Sequence, residues 1–519
     1  MTVPDEMKAK SEKKLYDTVI GLEVHIELST ATKIFCGCST KFGAMPNTQT
    51  CPVCTGMPGS LPVLNQKVVE YAIALGLATN SRINQRTIFD RKNYFYPDNP
   101  QNYQISQLYV PICQDGYLEI AQHLETEWVT DTDDDTKSKD GGNGTDGKAD
   151  ATKNIKKIRI HEMHMEEDAG KLTHDEASGI SLVDYNRSGV PLIEIVSEPD
   201  MESAEEVIAY LEKLRMLCLY LGISDCKLQE GSMRVDVNLS VKEAGSETLG
   251  TRTEMKNLNS FKAITRAIAA ERERQITLLE NGCKVEQETR RWDDGAGMSY
   301  SMRSKEDAKD YRYFPEPDVP PVLISEEWIG SIESRQPEFR EEKSARFVAE
   351  YGIPAYDADI LTGSKRLADL FEETAKLSGQ PKKTANWFMG ELLRLLKEAG
   401  KAPDELTLTP KHAADLIAAV EEGKINQANA KEVFAKVVEE DVEPLSYMEQ
   451  HGLMSLTDEE ALQAAIDEVI AENASIVEEY RSGKDKVFGF LVGQVMKKTK
   501  GKADPGTVNE LLRKSLQSV

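Results

Sequence analysis

Short apolar or alternating runs, punctuated by glycine, fill the chain from residue 18 to 196. Val19-Ile20-Gly21-Leu22, Lys157-Ile158-Arg159-Ile160 and Pro191-Leu192-Ile193 are each bounded by turn chemistry, and the alternation returns over 233–241. A period of two sends successive side chains to opposite faces of a pleated strand, so this half reads as sheet. Helices cross it: the periodicity predicts one over 204–218 and a second, heavily charged one over 261–281, closed by Gly282 in the C-cap role. The run Tyr311-Arg312-Tyr313-Phe314-Pro315-Glu316-Pro317-Asp318-Val319-Pro320-Pro321 fixes φ and withholds donors, which predicts a rigid extended edge or a crossing between domains. Beyond about residue 326 the period becomes helical, over 337–351, 365–376 and 384–399. Thr409-Pro410 then supplies cap and N1 chemistry for a helix over 411–422 that stops at Gly423. From about 408 onward the chain reads as a separate small helical domain.

The stretch 130–152 breaks the pattern. It is mostly Asp, Lys, Gly and Thr, with no aromatic and no β-branched apolar residue, so it cannot bury apolar surface to offset its ordering entropy and reads as a surface insertion. With 519 residues, 40% of them hydrophobic, the remainder suffices for two or three cores. The first fourteen residues mix Asp, Glu and Lys and lead into no apolar stretch. No later run approaches the roughly eighteen residues a bilayer helix needs, so the expectation is a cytoplasmic chain with no membrane partner. A net charge of -25 excludes a surface that grips nucleic acid throughout, since phosphate affinity comes from Lys and Arg. DNA is not an expected partner, and RNA must be met by local basic patches or by another subunit. One such patch is 481–502, where Arg481, Lys484, Lys486, Lys497, Lys498, Lys500 and Lys502 face only Asp485.

Four of the eight cysteines fall in Cys36-Gly37-Cys38 and Cys51-Pro52-Val53-Cys54. Two such claws offer the tetrahedral thiolate field that Zn(II) accepts, with no open position for catalysis; inert buried thiols and a redox role are the alternatives. Glu23, His25 and Glu27 share one face of a strand, and Glu162, His164 and Glu166 share one parity of another. The two sets either converge on a hard divalent cation or form a solvated polar sheet face. Three of the seven histidines lie within 160–175, but a zinc-peptidase pair would need histidine where Met165 stands. Phe89-Asp90-Arg91-Lys92-Asn93-Tyr94-Phe95-Tyr96 interleaves bases with aromatics, as either core rings beside a turn or a platform for a base with Arg91 and Lys92 meeting phosphate. Neither common nucleotide cradle is present, nor a Gly-x-Ser-x-Gly elbow, and Cys113, Cys218, Cys226 and Cys283 sit in ordinary surroundings. A nucleophile for amide hydrolysis is not legible.

Val19-Ile20-Gly21-Leu22-Glu23-Val24-His25, Cys51-Pro52-Val53-Cys54-Thr55-Gly56-Met57-Pro58-Gly59, Asp90-Arg91-Lys92-Asn93-Tyr94-Phe95-Tyr96-Pro97-Asp98, His164-Met165-Glu166-Glu167-Asp168-Ala169-Gly170-Lys171, Pro191-Leu192-Ile193-Glu194-Ile195-Val196-Ser197-Glu198-Pro199-Asp200 and Lys256-Asn257-Leu258-Asn259-Ser260-Phe261 together resemble, almost residue for residue, the B-subunit family of the bacterial aspartyl/glutamyl-tRNA amidotransferases. The resemblance covers nearly the whole chain. It implies an α+β architecture: a cradle-like mixed α/β catalytic domain over 1–325, a helical domain over 326–408 and a YqeY-like helical tail over 409–519 that contacts tRNA. It implies an ATP-dependent carbon–nitrogen ligase in a heterotrimer, in which an A subunit hydrolyses glutamine, a C subunit clasps A and B, and B phosphorylates the side-chain carboxylate of misacylated tRNA before ammonia attacks. By the same resemblance Mg(II) is held by Glu23, His25, Glu167 and Glu194 with Glu166 adjacent, and Lys92 lies by the route to the site. Arg91, Glu230 and Arg234 are then candidate nucleotide contacts, and Cys36, Cys38, Cys51 and Cys54 match the zinc-bearing members. Two other readings are a zinc-stapled RNA-binding module without catalysis and a free-standing ammonia-dependent ligase. Gln229 departs from the acidic residue of some relatives, which leaves a charged role there in doubt.

Overall fold

The computed structural model describes residues 15–121, 155–175, 178–302, 311–455, 459–499, 503 and 505–518; the expected insertion at 130–152 lies outside them, as do Lys500 and Lys502. The chain divides into two compact units, Met1–Pro337 and Glu338–Val519. All the described strands, with helices packed on them, belong to the first and the second is helical, so the α+β expectation holds.

Alternation along the strand Tyr16–Glu27 sorts its side chains as expected: Leu22, Val24 and Ile26 are buried, while Glu23, His25 and Glu27 are half-buried on the other face. This strand is the middle of a nine-stranded sheet, which runs Met298–Ser301, Thr289–Asp293, Thr253–Lys256, Met233–Glu243, Tyr16–Glu27, Pro191–Ser197, Ile155–Glu167, Cys113–Ala121 and Arg82–Ile83. Neighbours are antiparallel except for Thr253–Lys256 beside Thr289–Asp293. Helices Gln66–Ala78, Ala204–Leu221 and Phe261–Glu280 pack on the aliphatic side. The second of these is capped by the Ser203 hydroxyl, ends at left-handed Gly222, and buries Val207, Tyr210, Leu211, Leu214 and Cys218.

The strand Ile155–Glu167 carries a bulge that matters to the site. Its register against Pro191–Ser197 pairs Val196 with Glu162 but Ser197 with Ile160, leaving His161 over. One extra residue exchanges the two faces. Ile158 and Ile160 therefore join Met163 and Met165 in the core, and Glu162, His164 and Glu166 turn toward His25.

The proline-rich run forms an extended edge within the first unit. Phe314–Pro315 pairs with Asp90–Asn93, which pairs in turn with Tyr103–Ser106. No helix among the described residues is long and apolar enough to cross a membrane.

In the second unit the helical periods fall close to where they were expected: Arg340–Tyr351, Lys365–Ser378 and Pro410–Glu421, with Pro381–Trp387 passing through one π turn, Phe388–Leu392, into Leu393–Ala399. The first apolar core runs from Phe347 through Phe371, Phe388, Leu408 and Phe434 to Met448. It crosses the expected division at 408/409 without a break, and the Arg366 guanidinium donates to the carbonyls of Leu406 and Leu408 at 3.2 and 2.9 Å. A second core gathers Leu462, Ile466, Leu491, Val495 and Leu512.

Glu372 ties the first of these cores to its polar rim through Arg346 at 2.9 Å and Lys376 at 2.7 Å. Burial works to raise its pKa, yet these cations bring it down to about 2. A depressed carboxyl stabilises the fold above its unfolded value of 4.5, and that contribution is lost as pH falls toward 2. Glu372→Gln is therefore expected to cost about 1–2 kcal/mol at pH 7, after allowance for solvent screening. Calorimetry of the full chain should show the deficit shrinking as the pH is taken below that unfolded value.

Candidate active site

Sheet register sets the site. Glu194 lies opposite His25 on one side and His164 on the other, and Arg234 lies across His25 from the strand Met233–Glu243. His25 Nε2 is 3.4 Å from Glu194 Oε2 and 3.7 Å from Glu166 Oε1. His164 Nε2 is 3.1 Å from Glu194 Oε2 and 3.8 Å from Glu166 Oε2, while its Nδ1 is 3.4 Å from Glu162. The Ser106 hydroxyl donates to Glu166 at 3.2 Å. Burial opposes charge on His164, but Glu194, Glu162 and Glu166 outweigh it and hold the imidazole well above its usual range. Burial likewise opposes charge on Glu194, which His164 and His25 nevertheless keep well below the ordinary carboxylate range.

One ligand atom each from His25, Glu166 and Glu194 lies within 4.8 Å of the others. Two carboxylate oxygens and an imidazole nitrogen at that spacing fit one hard divalent cation with positions left for phosphate or water.

This is not the set Glu23, His25, Glu167, Glu194. Glu167 has the opposite strand parity from Glu166 and turns away, where its Oε1 accepts from Ile105 N at 2.9 Å and from the Gln101 side chain. Burial first, then Glu316 and Glu166, push its carboxyl up to about 8. It lines a cavity of about 300 Å³ together with Lys33, Cys36, Cys54, Gln101 and Tyr103. Glu23 joins Asp236 and Glu254 instead, a carboxylate group that Lys256 already meets at 2.6 Å (Asp236) and 2.8 Å (Glu254). Asn238 donates to Glu23 at 3.0 Å.

Lys92 and Arg91, adjacent on one strand, face opposite ways. Lys92 lies under the field of Glu166 and Glu194, which outweighs its burial, and its Nζ is 5.0 Å from the centre of the Tyr311 ring. Arg91 is held by Glu316 at 2.6 and 2.9 Å and by Asp318 at 3.1 Å, and lies 4.2 Å from the Tyr103 ring centre. Its charge is already matched, which speaks against a free phosphate contact. Glu230 is exposed and pairs with Lys227 at 3.0 Å. Arg234 reaches Asp168 at 2.8 Å, and its buried Nε makes no hydrogen bond among the described residues. Of the three histidines in 160–175, His161 pairs with Glu198 and His174 with Ser181, both exposed, so only His164 joins the cluster.

Sequence reasoning missed Asp168, Arg187, Asp236 and Glu254. Asp168 stands within the run 164–171 that carries the family resemblance, but its pairing with Arg234 and Arg187 depends on segments far apart in the chain.

The four cysteine sulfurs all lie within 4.8 Å of one another, with Cys51 and Cys54 3.9 Å apart. Tetrahedral Zn–S bonds of about 2.3 Å require S···S separations of about 3.8 Å, so the donor set fits zinc. Gly56, which follows Cys54 by two positions, has φ +64°, and a Cβ there would stand 2.9 Å from the Gln101 Cβ. The cysteine turn thus packs directly on the side chain that holds Glu167.

A family model described as the GatB/GatE catalytic domain matches residues 18–330, and one described as the GatB domain matches 369–516. Curated relatives named as the B subunit of aspartyl/glutamyl-tRNA(Asn/Gln) amidotransferase are similar from end to end. That of Agathobacter rectalis is 60% identical over 97% of this chain and 100% of its own length. The one from Lachnospira eligens is 58% identical with the same coverage, and that of Geotalea uraniireducens is 52% identical over 96% of this chain and 99% of its own. Matches of that extent, on a sheet that assembles the acidic and imidazole groups just described, show that the chain belongs to the B-subunit family of the aspartyl/glutamyl-tRNA amidotransferases.

Proposed function

We propose that this chain uses ATP to activate the side-chain carboxylate of glutamate or aspartate carried on tRNA, and passes the activated acyl group to ammonia made by a separate glutaminase subunit. The observation that carries this reading is the cluster of His25, Glu166 and Glu194 on one sheet face beside Lys92. A carboxylate is a poor electrophile because oxide is its leaving group. Its oxygen attacks the γ-phosphorus of ATP and ADP departs; ammonia then attacks the acyl carbon and inorganic phosphate departs.

His25, Glu166 and Glu194 would hold magnesium, which supplies charge neutralisation to the phosphates. His164 is buried against both carboxylates, 3.1 Å from Glu194 and 3.8 Å from Glu166, and would orient them for that task. The Lys92 ammonium, 5.0 Å from the centre of the Tyr311 ring, would meet an incoming phosphoryl group. Cys36, Cys38, Cys51 and Cys54 would hold zinc, which supplies a closed structural crosslink.

An A subunit for glutamine hydrolysis and a C subunit complete the assembly, consistent with the missing nucleophile. Purified chain given misacylated tRNA, ATP, magnesium and either ammonium or glutamine tests the division of labour. Amidation with ammonium alone is expected; amidation from glutamine by the isolated chain would sink the reading.

In the tail, Lys498 pairs with Glu468 and Glu472 at 2.7 and 2.6 Å and Lys484 with Glu479 at 3.3 Å. Lys486 and Lys497 are exposed and carry no ion pair among the described residues. Changing both to alanine is expected to weaken tRNA binding and lower the salt slope by about 2, read by fluorescence anisotropy across a salt series. Lys498→Ala should do less.

A further inference from the structure

The cavity beside Glu167 is closed on its cysteine side by a lysine. Lys33 is 0% exposed. Its Nζ donates to Cys54 Sγ at 3.5 Å and to the Tyr185 carbonyl at 3.2 Å, and no carboxylate pairs with it among the described residues. Glu167, the acid lining the same cavity, is turned to Ile105 and Gln101. A buried ammonium with only a carbonyl and a neutral thiol for company is a costly arrangement, whereas the same ammonium beside an anionic sulfur is not.

The backbone holds this contact from both sides. Lys33 N donates to Cys38 O at 3.0 Å, Ile34 N to Gly189 O at 2.9 Å, and the Ser188 hydroxyl to Cys54 O at 3.0 Å. Gly189 has φ +80°, and a Cβ there would meet Cys54 Cβ at 3.5 Å and Lys33 Cδ at 3.6 Å. The glycine thus brings the 185–189 turn close over the lysine and the cysteine together.

Four thiolates around one divalent zinc leave two net negative charges in a partly buried place. We infer that Lys33 is the built-in counter-ion of the four-cysteine site, its ammonium donating to the Cys54 sulfur so that metal is retained in a wall of the cavity. Lys33 acts on the metal through its ligand and is a positioning residue. The inference rests on the zinc reading of the four cysteines.

The test measures zinc on the full chain by competition with a chromogenic chelator. K33M is expected to weaken zinc retention by about 10- to 100-fold, the usual cost of losing an outer-shell partner. K33R, which keeps the charge and a donor, should stay near the unaltered chain. C38H replaces one thiolate with neutral imidazole and lowers the excess charge, so it should cost less in a K33M chain than alone. An unaltered chain whose zinc content matches that of C51S defeats the four-cysteine reading itself. Zinc that C51S loses and K33M holds as tightly as the unaltered chain overturns the role of Lys33. So does a K33R chain that holds zinc tenfold or more less tightly than the unaltered chain, or strictly additive losses for K33M and C38H; the K33R comparison is made with the unaltered chain and stands even if K33M fails to fold.

Discussion

Glu194→Gln is expected to lower ATP-dependent amidation by about 10³-fold, with ammonium as well as with glutamine as nitrogen source, while the chain stays folded. Of the two carboxylates that both imidazoles share, Glu194 is the nearer, 3.4 Å from His25 and 3.1 Å from His164. Glutamine keeps its shape and removes its charge, so a cation would lose one anionic ligand and His164 the carboxylate that chiefly keeps it charged. Glu166→Gln should behave in the same way for the same reason. Because the loss lies in activation and not in nitrogen supply, glutamine hydrolysis by a co-purified A subunit should be unchanged. Rates of labelled Glu-tRNA conversion at saturating ammonium decide it; a variant within a few-fold of the unaltered chain would remove this cluster from the chemistry.

Asp168→Asn is expected to destabilise the first unit by about 2–3 kcal/mol, less than a fully buried pair would cost because both arginine partners stay about a third exposed. Asp168 is buried, with Arg234 at 2.8 Å and Arg187 at 3.4 Å on one oxygen and the Ala169 amide at 2.8 Å on the other. Burial alone would raise its pKa, but Arg234 and Arg187 hold it below the usual value of 3.8. Its contribution is therefore full at neutral pH and is lost as pH falls through that lowered value. Its neighbour Glu27 has the opposite sign: burial, then Asp168, push it from 4.5 up to about 8, so it favours the fold most below the first value and progressively less as pH climbs toward the second. Denaturant unfolding of the Asn variant should show a large deficit at pH 7 that narrows under acid.

What could be read in the chain was what lies close together in it. The paired cysteines declared a four-sulfur cluster because they fall within nineteen positions, from Cys36 to Cys54. The helices of the second unit declared themselves by period and cap, as at Thr409-Pro410. That cap does not by itself mark a domain division, because a helix start looks alike whether the preceding segment belongs to the same core or to another; Leu408 and Leu416 share a core with Phe371. Parity already grouped Glu166 with Glu162 and His164, whereas the resemblance put Glu167 first, and strand geometry favours the parity. Arg91 and Lys92 are alike as letters, but only a strand distinguishes the one facing Glu316 from the one facing Glu166. Asp236, Glu254 and Arg187 come from strands and turns whose neighbours in space are far off in sequence, and no periodicity announces them.

The leftover residue at His161 is an offset that the strand could lose but could not iron out. Chain added between 121 and 155, however much of it, enters upstream of that offset and leaves the downstream stretch facing as before. Deleting His161 would return Ile158, Ile160, Met163 and Met165 to one unbroken alternation opposite Glu162, His164 and Glu166, whereas regular pairing with His161 retained would turn Ile158 and Ile160 toward the charged side. For this strand the offset, and not the residue that fills it, turns three polar side chains to the imidazole across the sheet.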